Sequence, residues 1–411
     1  MMTRRIFLKN GSLAMVSLGF APAFVARSAR AAEAKRKMLV AVFQRGAVDG
    51  LNMIVPFGER AYYANRPSIA IAKPNAPDGA IDLDGFFGLH PRMGALAPLF
   101  SRGELAIVHA CGSPDETRSH FDAQDYMESG TPGVKSTRDG WMNRYLHAKE
   151  HEQASPFRAV ALAPQLPRSL QGAEPALAIG QLAQFGVHAG GASDAMASSF
   201  EAEYAQAADA LLRPTASEAF DAVRMLRTAN LSSLAPANGA DYPRSGFGDA
   251  LRQVAQLIKA DVGLEVAFTE LGQWDHHANE GAAVGQIANR LDDFARGIAA
   301  FHQDLGDRMA DVVLVTMSEF GRTLKENGAR GTDHGHGNAM LVLGGSVKGG
   351  KVYGKWPGLD PEHLWQGRDL AITTDFRDVF AELVSGHLGA RDVSQIFPGY
   401  VSTQRLGLLS S

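Results

Sequence analysis

The sequence predicts an α/β fold with a mostly parallel central sheet, helices on both faces and a helical insertion. Three observations lead there. Residues 38–43 (MLVAVF), 105–110 (LAIVHA) and 311–316 (DVVLVT) are short runs apolar on both faces, the pattern of strands covered from two sides. Between such runs lie amphipathic stretches; in the longest, 283–305, Val284, Ile287, Ala288, Leu291, Ala295, Ile298 and Phe301 form one apolar stripe. Acidic and imidazole side chains cluster just after the strand-like runs, where ligands meet open parallel sheets.

Taken in order, residues 1–31 read as an address. Arg4 and Arg5 are followed by Ile6-Phe7-Leu8-Lys9, a mildly apolar stretch over 13–25, and Ala29-Arg30-Ala31 with small residues at the cleavage positions. This is the pattern of a twin-arginine signal, which implies the Tat export machinery as a partner and a periplasmic or otherwise exported location. Residues 32–411 read as a single domain. The 38–43 strand comes first. Residues 91–100 are helix-like through Met93, Leu96 and Leu99, and 105–110 is the second strand. A helix runs from Ser119 to Met127 with Ser119 near its start. Weaker strands lie at 158–162 and 176–179, and 195–240 is an Ala-rich helical insertion. The 283–305 helix, the 311–316 strand and a strand over 340–343 follow. Thr374 or Asp375 then caps a last helix that ends before Gly389.

The 411 residues carry a net charge of −4, and removing 1–31, with five basic residues and no acid, makes it −9. That balance argues against nucleic acid and anionic membranes as partners. No stretch of the mature chain reaches the length of about 18 apolar residues that a spanning helix needs. The single Cys111 rules out an intrachain disulfide and, following an apolar run, reads as a buried thiol.

Candidate site residues sit at the strand ends. Asp49, in Arg45-Gly46-Ala47-Val48-Asp49-Gly50, is placed to bind metal or to form a turn. Asp275 and His277 share a side in extended backbone, with His276 turned away. Asp333, His334 and His336 lie in the Gly-rich 331–337, where glycines let backbone come close to an ion. Glu319 is a further candidate ligand. Arg322 is either a clamp for an anionic oxygen or half of an ion pair. Ser119 is a nucleophile or a plain cap, and His120 a general acid or base. Mixed carboxylate and imidazole donors suit zinc or manganese better than calcium.

The segments RGAVDGLN, Ser119-His120-Phe121-Asp122, Asp275-His276-His277, Ser318-Glu319-Phe320-Gly321-Arg322-Thr323 and 331–337 resemble those of the exported bacterial DUF1501 proteins. Their order is similar to that of the alkaline phosphatase and sulfatase superfamily. The resemblance implies an alkaline-phosphatase-like domain and a metal-dependent hydrolase of small anionic phosphate or sulfate esters. Asp49 would hold one metal and Asp275 with His277 another. Ser119 would attack, and His334 or His336 would supply the final imidazole. Phe320 stands where that superfamily places a ligand His, which favours an alternative: a non-catalytic binding or assembly protein on the same scaffold.

Overall fold

The computed structural model describes residues 36–149, 155–182, 234–402 and 404–410. The expected signal (1–31) and most of the expected insertion (195–240) fall outside them. One sheet organises the molecule. Its strands run Val352–Tyr353, Leu105–Gly112, Asn338–Gly344, Val312–Met317, Met38–Gln44, Val266–Leu271, Ala159–Ala161 and Leu177–Ala178, and Thr374–Asp375 adds to Leu105–Gly112. All pairings are parallel except those of Asn338–Gly344, which runs against both neighbours.

Alternation along the strands explains why the sequence runs are apolar throughout. Val40, Val42, Leu314 and Ile107 face one cluster with Leu251, Leu291 and Phe301, from the helices Gly246–Ala260 and Gln286–Leu305. Leu39, Ala41, Phe43, Val313 and Val315 face the other, with Trp141, Tyr145, Phe376 and Phe380. Neither face meets water, so both sets of the period-two pattern are mainly apolar, and the few polar positions, such as Thr269, Thr316 and His109, are buried too.

Several expectations shift. Residues 91–100 form a 3₁₀ turn, Pro91–Leu96, then the short helix Ala97–Ser101, because Pro98 lacks the N–H that would continue an α-helix from Gly94. The long helix starts at Gln286, and Val284 lies before it with 64% of its surface exposed, so it leaves the apolar stripe. Helices Gly246–Ala260 and Trp141–Ala148 were not among the expected elements. The first was nevertheless readable, since Phe247, Leu251, Val254 and Ile258 recur at helical spacing behind the cap Ser245. Among the described residues no helix is long and apolar enough to cross a membrane.

Candidate metal centre

The carboxyl ends of Met38–Gln44, Leu105–Gly112, Val266–Leu271 and Val312–Met317 share one sheet edge, and the loops leaving them carry Gly46, His120, Asp275, His277 and Glu319. Asn338–Gly344 enters the sheet there because it is antiparallel, so residues 331–337 reach the same edge from the opposite chain direction. Arg322 ties these loops together. It is 1% exposed and donates to the carbonyls of Gly46, Ala47, Trp274 and Thr332, and to Asp275 Oδ1 at 2.5 Å. Gly321 and Gly335 allow the closest approach: Gly335 N donates to Gly321 O at 2.8 Å, and a Cβ on Gly335 would collide with the Arg322 carbonyl. Gly335→Ala is therefore expected to destabilise the fold by about 1–3 kcal/mol, read as a lower urea midpoint.

Three imidazoles and one carboxylate converge in this frame. His334 Nε2 lies 3.0 Å from His120 Nε2, 3.0 Å from His277 Nε2 and 3.2 Å from Asp275 Oδ1. His277 Nε2 is 2.9 Å from Asp275 Oδ1, and His120 Nε2 is 3.5 Å from Asp275 Oδ2. The other ring nitrogens are occupied: His120 Nδ1 by Glu319 Oε1 at 2.8 Å, His277 Nδ1 by Asp333 Oδ1 at 3.0 Å and His334 Nδ1 by the Arg118 carbonyl at 2.8 Å. These partners only accept, so each Nδ1 carries the hydrogen and each neutral ring turns its Nε2 lone pair inward. With its hydrogen on Nδ1, His334 has no N–H to offer the three neighbours of its Nε2. One cation can bridge them. Ligands about 2.0–2.1 Å from a tetrahedral zinc stand about 3.3 Å apart, close to the spacings here. Carboxylates or a carbonyl behind every ring are the outer partners that orient metal-binding histidines.

The charges agree with this arrangement. Burial opposes ionisation of Asp275, but the Arg322 guanidinium overrides it and holds the carboxyl down at about 2. Burial likewise opposes the charge on Glu319, and hydrogen bonds from His120, Gln124 and the Gly46 amide outweigh it, leaving the carboxyl below its usual range. Asp333 is lowered by its hydrogen bond with His277. His120 is raised, first by its hydrogen bond to Glu319, while burial lowers His334. The hydrogen bond to Glu319 thus favours a proton on His120 over one on His334. Metal binding should weaken as pH falls through the raised His120 value, which titration with a chromogenic chelator at stepped pH would read.

Residues 36–394 match the family described as "Protein of unknown function (DUF1501)". The chain belongs to the DUF1501 family. No curated protein matches it, and no solved structure does.

In this DUF1501 protein the residues singled out in the sequence fall into three groups. Asp275 and His334 form the compact group together with His120, whose expected role was proton transfer, and His277 adjoins it through His334 and Asp275. Glu319 and Asp333 stand one layer behind, each holding an Nδ1 rather than facing the centre. Asp49, His336 and Arg322 contribute nothing to the cluster as direct donors of a lone pair. Asp49 is 2% exposed and grips the wholly buried Arg66 through both oxygens. His336 stacks on Trp365 with ring centres 4.7 Å apart, and burial pushes its imidazole down to about 4. The guanidinium of Arg322 is consumed by backbone carbonyls and Asp275, so it shapes the loops instead of clamping an anion. Ser119 is the cap of the helix His120–Ser129, accepting from the Asp122 amide at 3.5 Å. Phe320 is 4% exposed and packs its ring 5.0 Å from those of both His120 and His334. Gln124 and the Arg118 carbonyl had no signal in the sequence. Glu319→Gln keeps the shape behind His120 but not the charge, and should weaken metal affinity by about 10–100-fold, measured by competition with a chelator.

Proposed function

We propose that this protein is an exported, metal-dependent hydrolase acting on phosphate or sulfate esters, with an alkaline-phosphatase-like domain. The observation that carries the reading is the convergence of His120, Asp275, His277 and His334 at the carboxyl edge of a mostly parallel sheet. Zinc or manganese suits these donors, and when bound supplies Lewis acidity toward an ester oxygen and a nucleophile. The protein's own contribution is positioning. Asp275 is held by Arg322, and the three rings by Glu319, Asp333 and the Arg118 carbonyl. Phe320 closes one side of the cluster against water. Ser119 is exposed at the positive end of a ten-residue helix, its O–H free while its oxygen accepts one long bond, a position that favours an anionic ester. Arg4 and Arg5 support export through the twin-arginine route.

A second reading, a non-catalytic binding or assembly protein, draws on two observations. Phe320, at which the superfamily resemblance implies a ligand imidazole, instead packs an apolar ring on His120, and Asp49 is engaged by Arg66. Four protein donors also resemble the closed set of structural zinc sites. Elemental analysis of protein purified without chelator, followed by assays with 4-nitrophenyl phosphate and sulfate, separates the two. The hydrolase reading expects one divalent ion per chain and a drop of about a hundredfold or more in turnover for Ser119→Ala. Stoichiometric metal without turnover favours the second reading, and absence of metal removes the chemistry on which the first depends.

A further inference from the structure

Beside the cluster, two arginines share one carboxylate. Asp369 is 0% exposed. Its Oδ2 accepts from Arg118 Nη2 and from Arg368 Nη2, each at 2.9 Å, and its Oδ1 accepts from Arg368 Nε at 2.9 Å. Both arginines also touch the segment carrying His334. The Arg118 carbonyl holds His334 Nδ1 at 2.8 Å, and Arg368 Nη2 donates to the His334 carbonyl at 2.6 Å. The main chain of Arg118 and the guanidinium of Arg368 thus border the segment carrying His334, and the Arg118 guanidinium with Asp369 lies near His336 on that same segment.

Their charge is not balanced. One buried carboxylate against two guanidiniums, which stay protonated at any working pH, leaves one positive unit. Gln366 takes another Arg118 Nη2 hydrogen bond at 2.9 Å but carries no charge. Asp115, on the loop leading to Arg118, turns Oδ1 to the Thr117 amide at 2.8 Å; its charge is shared between the neighbourhoods of Lys135 and His336, and it makes no hydrogen bond to either arginine. The side chains of Arg118 and Arg368 keep 33% and 43% of their surface exposed, and Arg118 Nε is buried without a hydrogen-bond partner. Among the described residues neither Nη1 makes a hydrogen bond, so both arginines retain N–H groups for a ligand. Within the centre, Asp275 is offset by Arg322, and Glu319 and Asp333 together offset a divalent ion.

We propose that Arg118 and Arg368 form the seat for the anionic group of the substrate, and that the seat is matched to a tetrahedral monoanion, a sulfate monoester or a phosphate diester, rather than a dianionic phosphate monoester. This rests on the hydrolase reading for the identity of the substrate, but the seat itself binds anions whether or not turnover follows. A single surplus charge neutralises one negative charge and leaves a second uncompensated in a partly desolvated place. Two guanidiniums side by side present paired donors to two oxygens of one tetrahedron.

The test uses the metal-loaded full chain and its Arg118→Gln and Arg368→Gln variants. Either substitution leaves Asp369 with one arginine, so its buried charge stays paired. Calorimetric titration with 4-nitrophenyl sulfate, bis(4-nitrophenyl) phosphate and 4-nitrophenyl phosphate at pH 8 reads affinity for two monoanions and one dianion. Metal content and thermal midpoint are measured in parallel. The wild type should favour one or both monoanions, and each variant should bind them about tenfold or more weakly, as loss of a charged hydrogen bond implies, with metal content unchanged. Which monoanion binds tighter identifies the source of the tetrahedron. Three results would overturn the seat: no anion binding by the wild type, a preference for the dianion, or variants that lose metal while the loaded fraction binds as before. That last outcome would make the arginines supports of the His334 loop. Tight binding without turnover would instead remove the hydrolase reading and leave the seat standing.

Discussion

His334→Ala is expected to abolish the metal binding proposed for this cluster while leaving the fold intact. His334 Nε2 touches the other three donors, at 3.0, 3.0 and 3.2 Å, so its loss opens the middle of the set rather than one corner. Affinity should fall by more than the factor of about 10–100 typical of losing an outer partner. The fold survives because the ring is half-buried and its truncation leaves no buried charge unpaired. Asp275→Ala contrasts with it. Arg322 is 1% exposed and loses its carboxylate in that variant, so metal and stability fall together. Elemental analysis and urea unfolding in chelator measure both quantities. A His334→Ala protein that still copurifies with one ion per chain would end the case for this centre.

Arg66→Met is expected to cost about 3–5 kcal/mol of stability, the largest effect of a single change outside the centre. Arg66 is 0% exposed and is bound by Asp49, by Asn52 Oδ1 at 2.9 Å and by the carbonyls of Thr323 and Leu324. Glu280, also fully buried, accepts from Thr332 Oγ1 at 2.7 Å. Burial, followed by the charge of Asp49, pushes Glu280 well above its usual range, whereas Asp49, despite burial, is held low by Arg66. One cation thus faces two buried carboxyls, and the proton is held more readily by Glu280 than by Asp49. The pH consequence has a definite sign. A carboxyl raised in the folded state contributes stability that is complete below its unfolded value of 4.5 and is lost as pH rises through the folded value. Glu280→Gln mimics the protonated acid, so it should remove that loss and be more stable than wild type on the alkaline side. Urea midpoints across pH, for both variants, provide the check. A Glu280→Gln chain that weakens in step with wild type as pH rises would show that Glu280 is ionised in the fold.

Much of the centre was readable before any coordinates. Asp275 and His277 follow a strand at a spacing of two, which puts them on one side of extended backbone, and the structure brings both to His334. His334 and His336 have the same spacing of two but do not end up together. Gly335 packs against the Arg322 backbone and breaks the regular extension between them, so His336 turns away onto Trp365. Nothing in the spacing separates a direct donor from the residue behind it. Glu319 and Asp333 have the same chemistry as Asp275, and only their position beyond an imidazole makes them orienting groups.

The sequence by itself determined the α/β class, the central strands and the strand ends where acidic and imidazole residues gather. These follow from local periodicity, because strands covered on both faces must be apolar at every position. Tertiary structure decided which residues meet. His120 lies 155 residues before Asp275 in the chain, and Asp49 is claimed by Arg66, 17 residues later, whose local sequence gives no hint of it. The antiparallel Asn338–Gly344 strand delivers the His334 loop to the carboxyl edge, and its direction is invisible in an apolar run. Periodicity records which face of an element is buried. It does not record which buried faces or strand ends are brought together, because that is set by packing between segments far apart in the chain.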